Sequence, residues 1–141
     1  EDDLLNPYQE KWNNSIENIF ENRPKDCHCL IFNSNNNIVY EYKEDYVRWK
    51  LGHWGTSCYI LDKEGIGILY NKYVEDNFVI NLNNYTTSLY HQADFGLLYE
   101  SLDAYNYTIP MFKFLNIDNL IRDRINIEDL KINRICDQYY R

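Results

Sequence analysis

The sequence predicts an α+β domain, an antiparallel β-meander packed against a C-terminal α-helix, and three observations predict it. Short apolar runs divided by turn residues fill the middle of the chain, helix-spaced apolar residues follow Pro110, and the connections between neighbouring runs are too short for parallel crossovers. At 141 residues the chain has the size of one ordinary domain, and 45% apolar with 16% aromatic residues are enough to build its core.

The elements follow in chain order. Over residues 6–24, Trp12, Ile16, Ile19 and Phe20 recur at helical spacing and Pro24 stops the pattern, so this stretch reads as one helix. The polar run Asn33-Ser34-Asn35-Asn36-Asn37 reads as the tip of a hairpin between Cys29–Phe32 and Ile38–Tyr42. From Trp49 onward come the strand runs Cys58–Leu61, Ile66–Tyr70, Phe78–Leu82, Ser88–Tyr90 and Leu97–Tyr99, stopped by Asp62–Gly65, Asn71, Asn83-Asn84 and Ala93–Gly96. Within them Gly65 is expected to take the positive φ of a hairpin turn, and Gly67 to mark a bulge or a close approach of another backbone. Tyr99, Tyr105 and Tyr107 read as a sheet face. Asp118 is a natural N-cap for a final helix carrying Leu120, Ile121 and Ile125, with Ile132, Cys136 and Tyr139 continuing that face.

Fourteen basic against twenty-two acidic residues leave a net charge of −8. Such a chain repels a phosphate backbone, which excludes generic nucleic-acid binding and suits a basic partner. No run approaches the roughly 18 to 20 apolar residues that span a bilayer. The start, Glu1-Asp2-Asp3, lacks both Met and the basic residues of a signal peptide, as expected of a trimmed or processed chain. Four cysteines suffice for two disulfides, and N-x-S/T triplets begin at Asn13, Asn84 and Asn106. Cys27 and Cys29 are too close to pair with each other, and triplets arise by chance in an Asn-rich chain, so reduced thiols in a cytoplasmic protein are expected.

Catalytic or metal chemistry would need converging groups. Cys27-His28-Cys29 offers zinc-type ligands, which His53 or Cys58 would have to complete. In a strand His28 points away from its neighbours, and C-x-C lacks the usual C-x₂-C loop, so buried thiols are expected and no metal or cofactor. Gly65-Ile66-Gly67 opens like a phosphate loop, but Tyr70 stands where the third glycine belongs. Nothing forms a catalytic signature, and a non-enzyme is expected.

One family does resemble this pattern. Trp49, Gly55, Cys58-Tyr59-Ile60-Leu61, Asp62–Gly65, Gly67-Ile68-Leu69-Tyr70-Asn71, Phe78–Leu82, Ser88–Tyr90 and Asp94-Phe95-Gly96 resemble the polo box of polo-like kinases over about residues 46–125. The resemblance implies about six antiparallel strands under one helix for residues 46–141. Residues 1–45 would then carry a cap helix, and 126–141 the lead-in to a second box. It further implies a non-catalytic module that docks a Ser/Thr kinase onto protein or phosphoprotein partners at centrosome, centriole or kinetochore. Its peptide-binding residues would be Trp49, Lys50 and Leu51, and a homodimer or a second polo box would complete the assembly. The family's phosphate-holding His-x-Lys pair is absent: Leu30, Gly55 and Ala93 stand two places after His28, His53 and His91. Size and charge also fit a second class, a small acidic inhibitor or immunity-type protein that covers a basic enzyme surface.

Overall fold

A computed structural model describes residues 4–53, 58–76, 79–80, 98–99, 101–114 and 127–141. In chain order the elements are β1 (Leu4–Leu5), α1 (Ile16–Glu21), β2 (Cys29–Ile31), β3 (Tyr46–Arg48), β4 (Tyr59–Leu61), α2 (Lys63–Tyr73), β5 (Val74–Glu75), β6 (Val79–Ile80), β7 (Ala104–Tyr107), β8 (Lys113–Phe114) and α3 (Ile127–Tyr139). The fold is α+β. Among the described residues the main sheet has four strands in the order β3-β7-β2-β4, flanked by the two-stranded pairs β1-β8 and β5-β6.

This sheet is mixed, which corrects the all-antiparallel meander. β2 runs antiparallel to β4 but parallel to β7, with Cys29 opposite Ala104 and Ile31 opposite Asn106. Short connections exclude parallel pairing only between strands close in sequence. Here the parallel partner arrives more than seventy residues later. Cys29, Leu30 and Ile31 are buried on both faces, the unbroken apolar run of a central parallel strand.

Alternation along these strands divides the core in two. Leu30 and Phe32 join Tyr107, Ile60 and Tyr46 on one face, packed with Ile16, Ile19 and Phe20 of α1. Cys29, Ile31 and Ala104 face the other way, toward Ile68 and Leu69 of α2 and toward Leu98, Tyr99 and Leu102. Residues on both sides of position 45 therefore share one sheet and contribute to both of its core faces.

Four local expectations are corrected. Residues 6–24 form a 3₁₀ turn, Gln9–Lys11, and the separate helix α1, because Ser15 caps a new start by accepting from Asn18 N–H at 3.1 Å. Residues 37–41 form a 3₁₀ helix capped by Asn36, so no hairpin follows β2. Leu98 and Tyr99 enter a helical turn, with Leu102 N–H bonded to Leu98 O at 3.0 Å. The run Ile66–Tyr70, read as a strand, is the middle of α2.

That helix starts because Asp62 caps it, its carboxylate accepting from Gly65 N–H at 2.7 Å. Gly65 and Tyr73 are buried and Ile68 and Leu69 pack on the sheet, whereas Ile66 and Tyr70, one turn apart, are about half exposed. Both glycine roles change accordingly. A Cβ on Gly65 would meet the His28 carbonyl oxygen at 2.9 Å, so the close approach falls there, and a Cβ on Gly67 meets nothing within 4 Å. Positive φ occurs instead at Gly52, at 101°.

The C-terminal helix and the residue that follows it bury Ile132, Cys136 and Tyr140 at four-residue spacing, while Tyr139 is half exposed. The N-terminal segment straps onto it. Tyr8 stacks on Tyr140 with ring centroids 5.1 Å apart and donates to Asp137 at 2.6 Å, and Lys11 Nζ donates to Tyr140 O at 2.8 Å. Gly55, Phe78, Ser88–Tyr90, Asp94–Gly96, Asp118, Leu120, Ile121 and Ile125 lie outside the described residues.

Candidate functional site

β3 ends at Arg48, and the next five residues form a tight, heavily tied turn. Trp49 N–H still bonds to Ala104 O at 2.8 Å, and its ring turns inward against Tyr99 (centroids 5.2 Å apart) and the apolar cluster under α2. Its indole Nε1–H donates to His53 O. His53 N–H closes the turn on Lys50 O at 2.9 Å, and Gly52, third of the four turn residues, takes the positive φ that position needs.

A second element holds the turn from the side. Asn36 Nδ2 donates to Gly52 O at 2.9 Å, while its Oδ1 accepts from Ile38 N–H at 3.0 Å, so one side chain caps the 3₁₀ helix and pins the turn. The loop leading to Asn36 is itself fixed, because the Tyr40 hydroxyl accepts from Ser34 N–H at 3.1 Å. Lys50 Nζ lies 5.8 Å from the Tyr42 ring centre, in range for a cation–π contact.

The floor is polar and buried. His53 is 5% exposed and Asn106, on β7, 1%. Asn106 Nδ2 lies 3.1 Å from His53 Nδ1, and the Tyr42 ring meets the imidazole edge to face, 6.4 Å away. Burial first, and the Lys50 ammonium second, hold the His53 pKa below its ordinary 6.5. The ring is therefore neutral at pH 7. With the Asn106 amide donating, Nδ1 is the acceptor and the proton sits on Nε2.

What projects from this frame is Leu51, 63% exposed at the tip beside exposed Lys50, with Ile38 50% exposed on the adjoining 3₁₀ helix. Of the three residues assigned to peptide binding, Lys50 and Leu51 are on the surface, and Trp49 is half-buried as their support. Sequence reading missed Gly52, Asn36 and Asn106, and weighed His53 only as a metal ligand. Leu-Gly was the local turn signal; the Asn partners come from elsewhere in the chain and left none.

A second polar group joins α2 to β2. Asp62 takes Arg23 Nη2 at 3.0 Å and His28 Nδ1 at 3.1 Å. Burial raises its pKa, but the hydrogen bonds from Gly65 N–H, His28 and Arg23 outweigh that and leave it below the ordinary 3.8. Cys27 faces the α1 side of the sheet and Cys29 the α2 side, while His28 is held by Asp62. Among the described residues no group of three or more side chains is placed to hold a metal. Among the same residues no helix is long and apolar enough to cross a membrane.

No family model, curated protein or solved structure matches the chain.

Proposed function

We propose that this chain is a non-catalytic protein-binding module that docks through the Lys50–Gly52 turn and Ile38 onto a partner with a basic surface. One observation carries the reading: a leucine 63% exposed at the tip of a turn fixed by Trp49, Asn36 and the His53–Asn106 pair. A fixed tip loses little conformational freedom on binding, and burying such a side chain contributes about 1.5–3 kcal/mol. The net charge of −8 supplies long-range attraction to a basic surface and disfavours an acidic one.

Two forms of this reading differ in what supports them. Kinase targeting to centrosome, centriole or kinetochore rests on the polo-box resemblance, and α2 stands where that resemblance calls for a strand. Occlusion of a basic enzyme surface rests on charge and size, which the fold leaves unchanged, and this form has the stronger support.

The test is reconstitution. A partner recovered at low salt is purified and titrated with wild type and with Leu51→Glu. The variant is expected to bind at least about tenfold more weakly, a loss of about 1.4 kcal/mol, with unchanged thermal stability. Wild-type affinity should fall as salt screens the attraction over about 10 Å. Equal affinity of the two proteins refutes the site, a salt-independent affinity refutes the basic partner, and concentration-dependent sedimentation of the chain alone makes a second copy the occupant.

A further inference from the structure

We propose that His53 is a proton-operated latch: its neutral ring holds the Leu51-bearing turn in docking form, and its charged ring releases it. The consequence for docking rests on the proposed function, but the latch acts within the chain and is tested without a partner.

One of the ties that hold the turn is a titratable lone pair. Neutral His53 accepts at Nδ1 from the Asn106 amide 3.1 Å away, and the same residue's backbone supplies two further ties, N–H to Lys50 O and carbonyl to the Trp49 indole. Protonation converts Nδ1 into a donor aimed at another donor. The bond from Asn106 is then lost, and a cation is left in a site that is 95% shielded from water.

Among the described residues, nothing that faces the ring keeps the cation in place. From its own turn comes the Lys50 ammonium, a like charge; from the 3₁₀ side comes the Tyr42 ring; from β7 comes the Asn106 carboxamide. Among the described residues the charge acting on the imidazole is that of Lys50. Relief lies in the ring swinging out to water. Where the backbone follows the ring, His53 parts from Trp49 Nε1 and Lys50 O and Gly52 parts from Asn36, so the tip loses its fixed shape. Asn106 Oδ1, buried without a partner, marks the alternative: if the amide turned over, that oxygen would accept from the charged ring and the turn would stay shut.

Hydrogen exchange on ¹⁵N-labelled protein separates these outcomes. Protection factors of the Trp49 indole N–H and the His53 amide are measured at about pH 7.5 and about pH 5, on either side of the ordinary histidine range, with far-UV circular dichroism to establish that the fold persists. Both factors are expected to drop at least about tenfold at the lower pH while amides of the β2-β7 ladder keep theirs. His53→Asn, whose Oδ1 stands where Nδ1 does and accepts from Asn106 without titrating, should keep both factors at both pH values. Long-range imidazole ¹⁵N spectra of wild type should place the proton on Nε2 near pH 7.5, a readout that stands even if the variant fails to fold. Equal protection at the two pH values, an unaltered pH response in His53→Asn, or a proton on Nδ1 at neutral pH overturns the latch.

Discussion

Replacing Gly65 with alanine sets two effects of known size against each other. Alanine is the better helix former by up to about 1 kcal/mol. Its Cβ, however, would lie 2.9 Å from the His28 carbonyl oxygen, 3.1 Å from His28 Cβ and 3.3 Å from Asp62 Oδ1, where ordinary contact begins at 3.4 Å. The carbonyl cannot easily yield, because it accepts from Asp62 N–H at 3.1 Å and belongs to the chain leading into the central strand β2. The carboxylate cannot yield without loosening the cap on Gly65 N–H, so α2 has to lift off the sheet. Overpacking of this kind costs about 1–3 kcal/mol, which leaves a net loss of up to about 2 kcal/mol once the full propensity gain is taken off. At Gly67 the same change meets open space and should stabilise by up to about 1 kcal/mol. Urea titration of the two variants beside wild type reads both signs directly, each kcal/mol moving the midpoint by about 0.3–1 M. Gly65→Ala equal to or more stable than wild type, or Gly67→Ala destabilised to match it, would refute the packing assigned to α2. The ranking reverses the sequence-based expectation, which placed the bulge or close backbone approach at Gly67.

Three further outcomes are expected. Asp62→Asn should lower stability at pH 7 by about 1–2 kcal/mol, since it gives up charge-assisted bonds from Arg23 and His28. The folded pKa lies below the unfolded one, so the wild-type advantage is present above the ordinary carboxylate value, 3.8, and shrinks as pH falls through the lower folded value; an advantage that stays constant down to about pH 2 contradicts the assignment. Burial pushes the thiols of Cys27 and Cys136 up to about 11 and that of Cys29 up to about 12, so none of the three should react with a disulfide reagent near pH 8 until the protein unfolds, and rapid native labelling of any of them would contradict their burial. Trp49→Ala should destabilise the fold by about 3 kcal/mol, because the ring packs on Tyr99 and its N–H closes the turn; a variant that is fully stable yet loses partner binding would return Trp49 to the binding surface expected from the sequence.

Legibility in the sequence differed between neighbouring residues for physical reasons. Cys29-Leu30-Ile31 could be read as a strand from its own side chains, and so could Tyr59–Leu61, because β-branched and aromatic runs suit a pleated surface wherever it lies. The run Gly65–Tyr70 could not. Its composition fits strand or helix, and the choice fell to Asp62, whose cap on Gly65 starts a helix that Ile68 and Leu69 then dock. Trp49-Lys50-Leu51 came from a family resemblance; the exposure of Leu51 and the inward turn of Trp49 depend on Tyr99, Asn36 and Asn106, residues between 13 and 57 positions away.

By itself the sequence determined an acidic α+β domain with a core of aromatic and aliphatic residues and a final helix, since these follow from composition and from the local spacing of side chains. Only the tertiary structure decided that β7 would lie parallel to β2, that Gly65 would be the residue pressed against a backbone, and that His53 would be buried on Asn106. Each of these depends on contacts between segments far apart in the chain. Their free energy exists only once the intervening loops have closed, and nothing local can announce it beforehand.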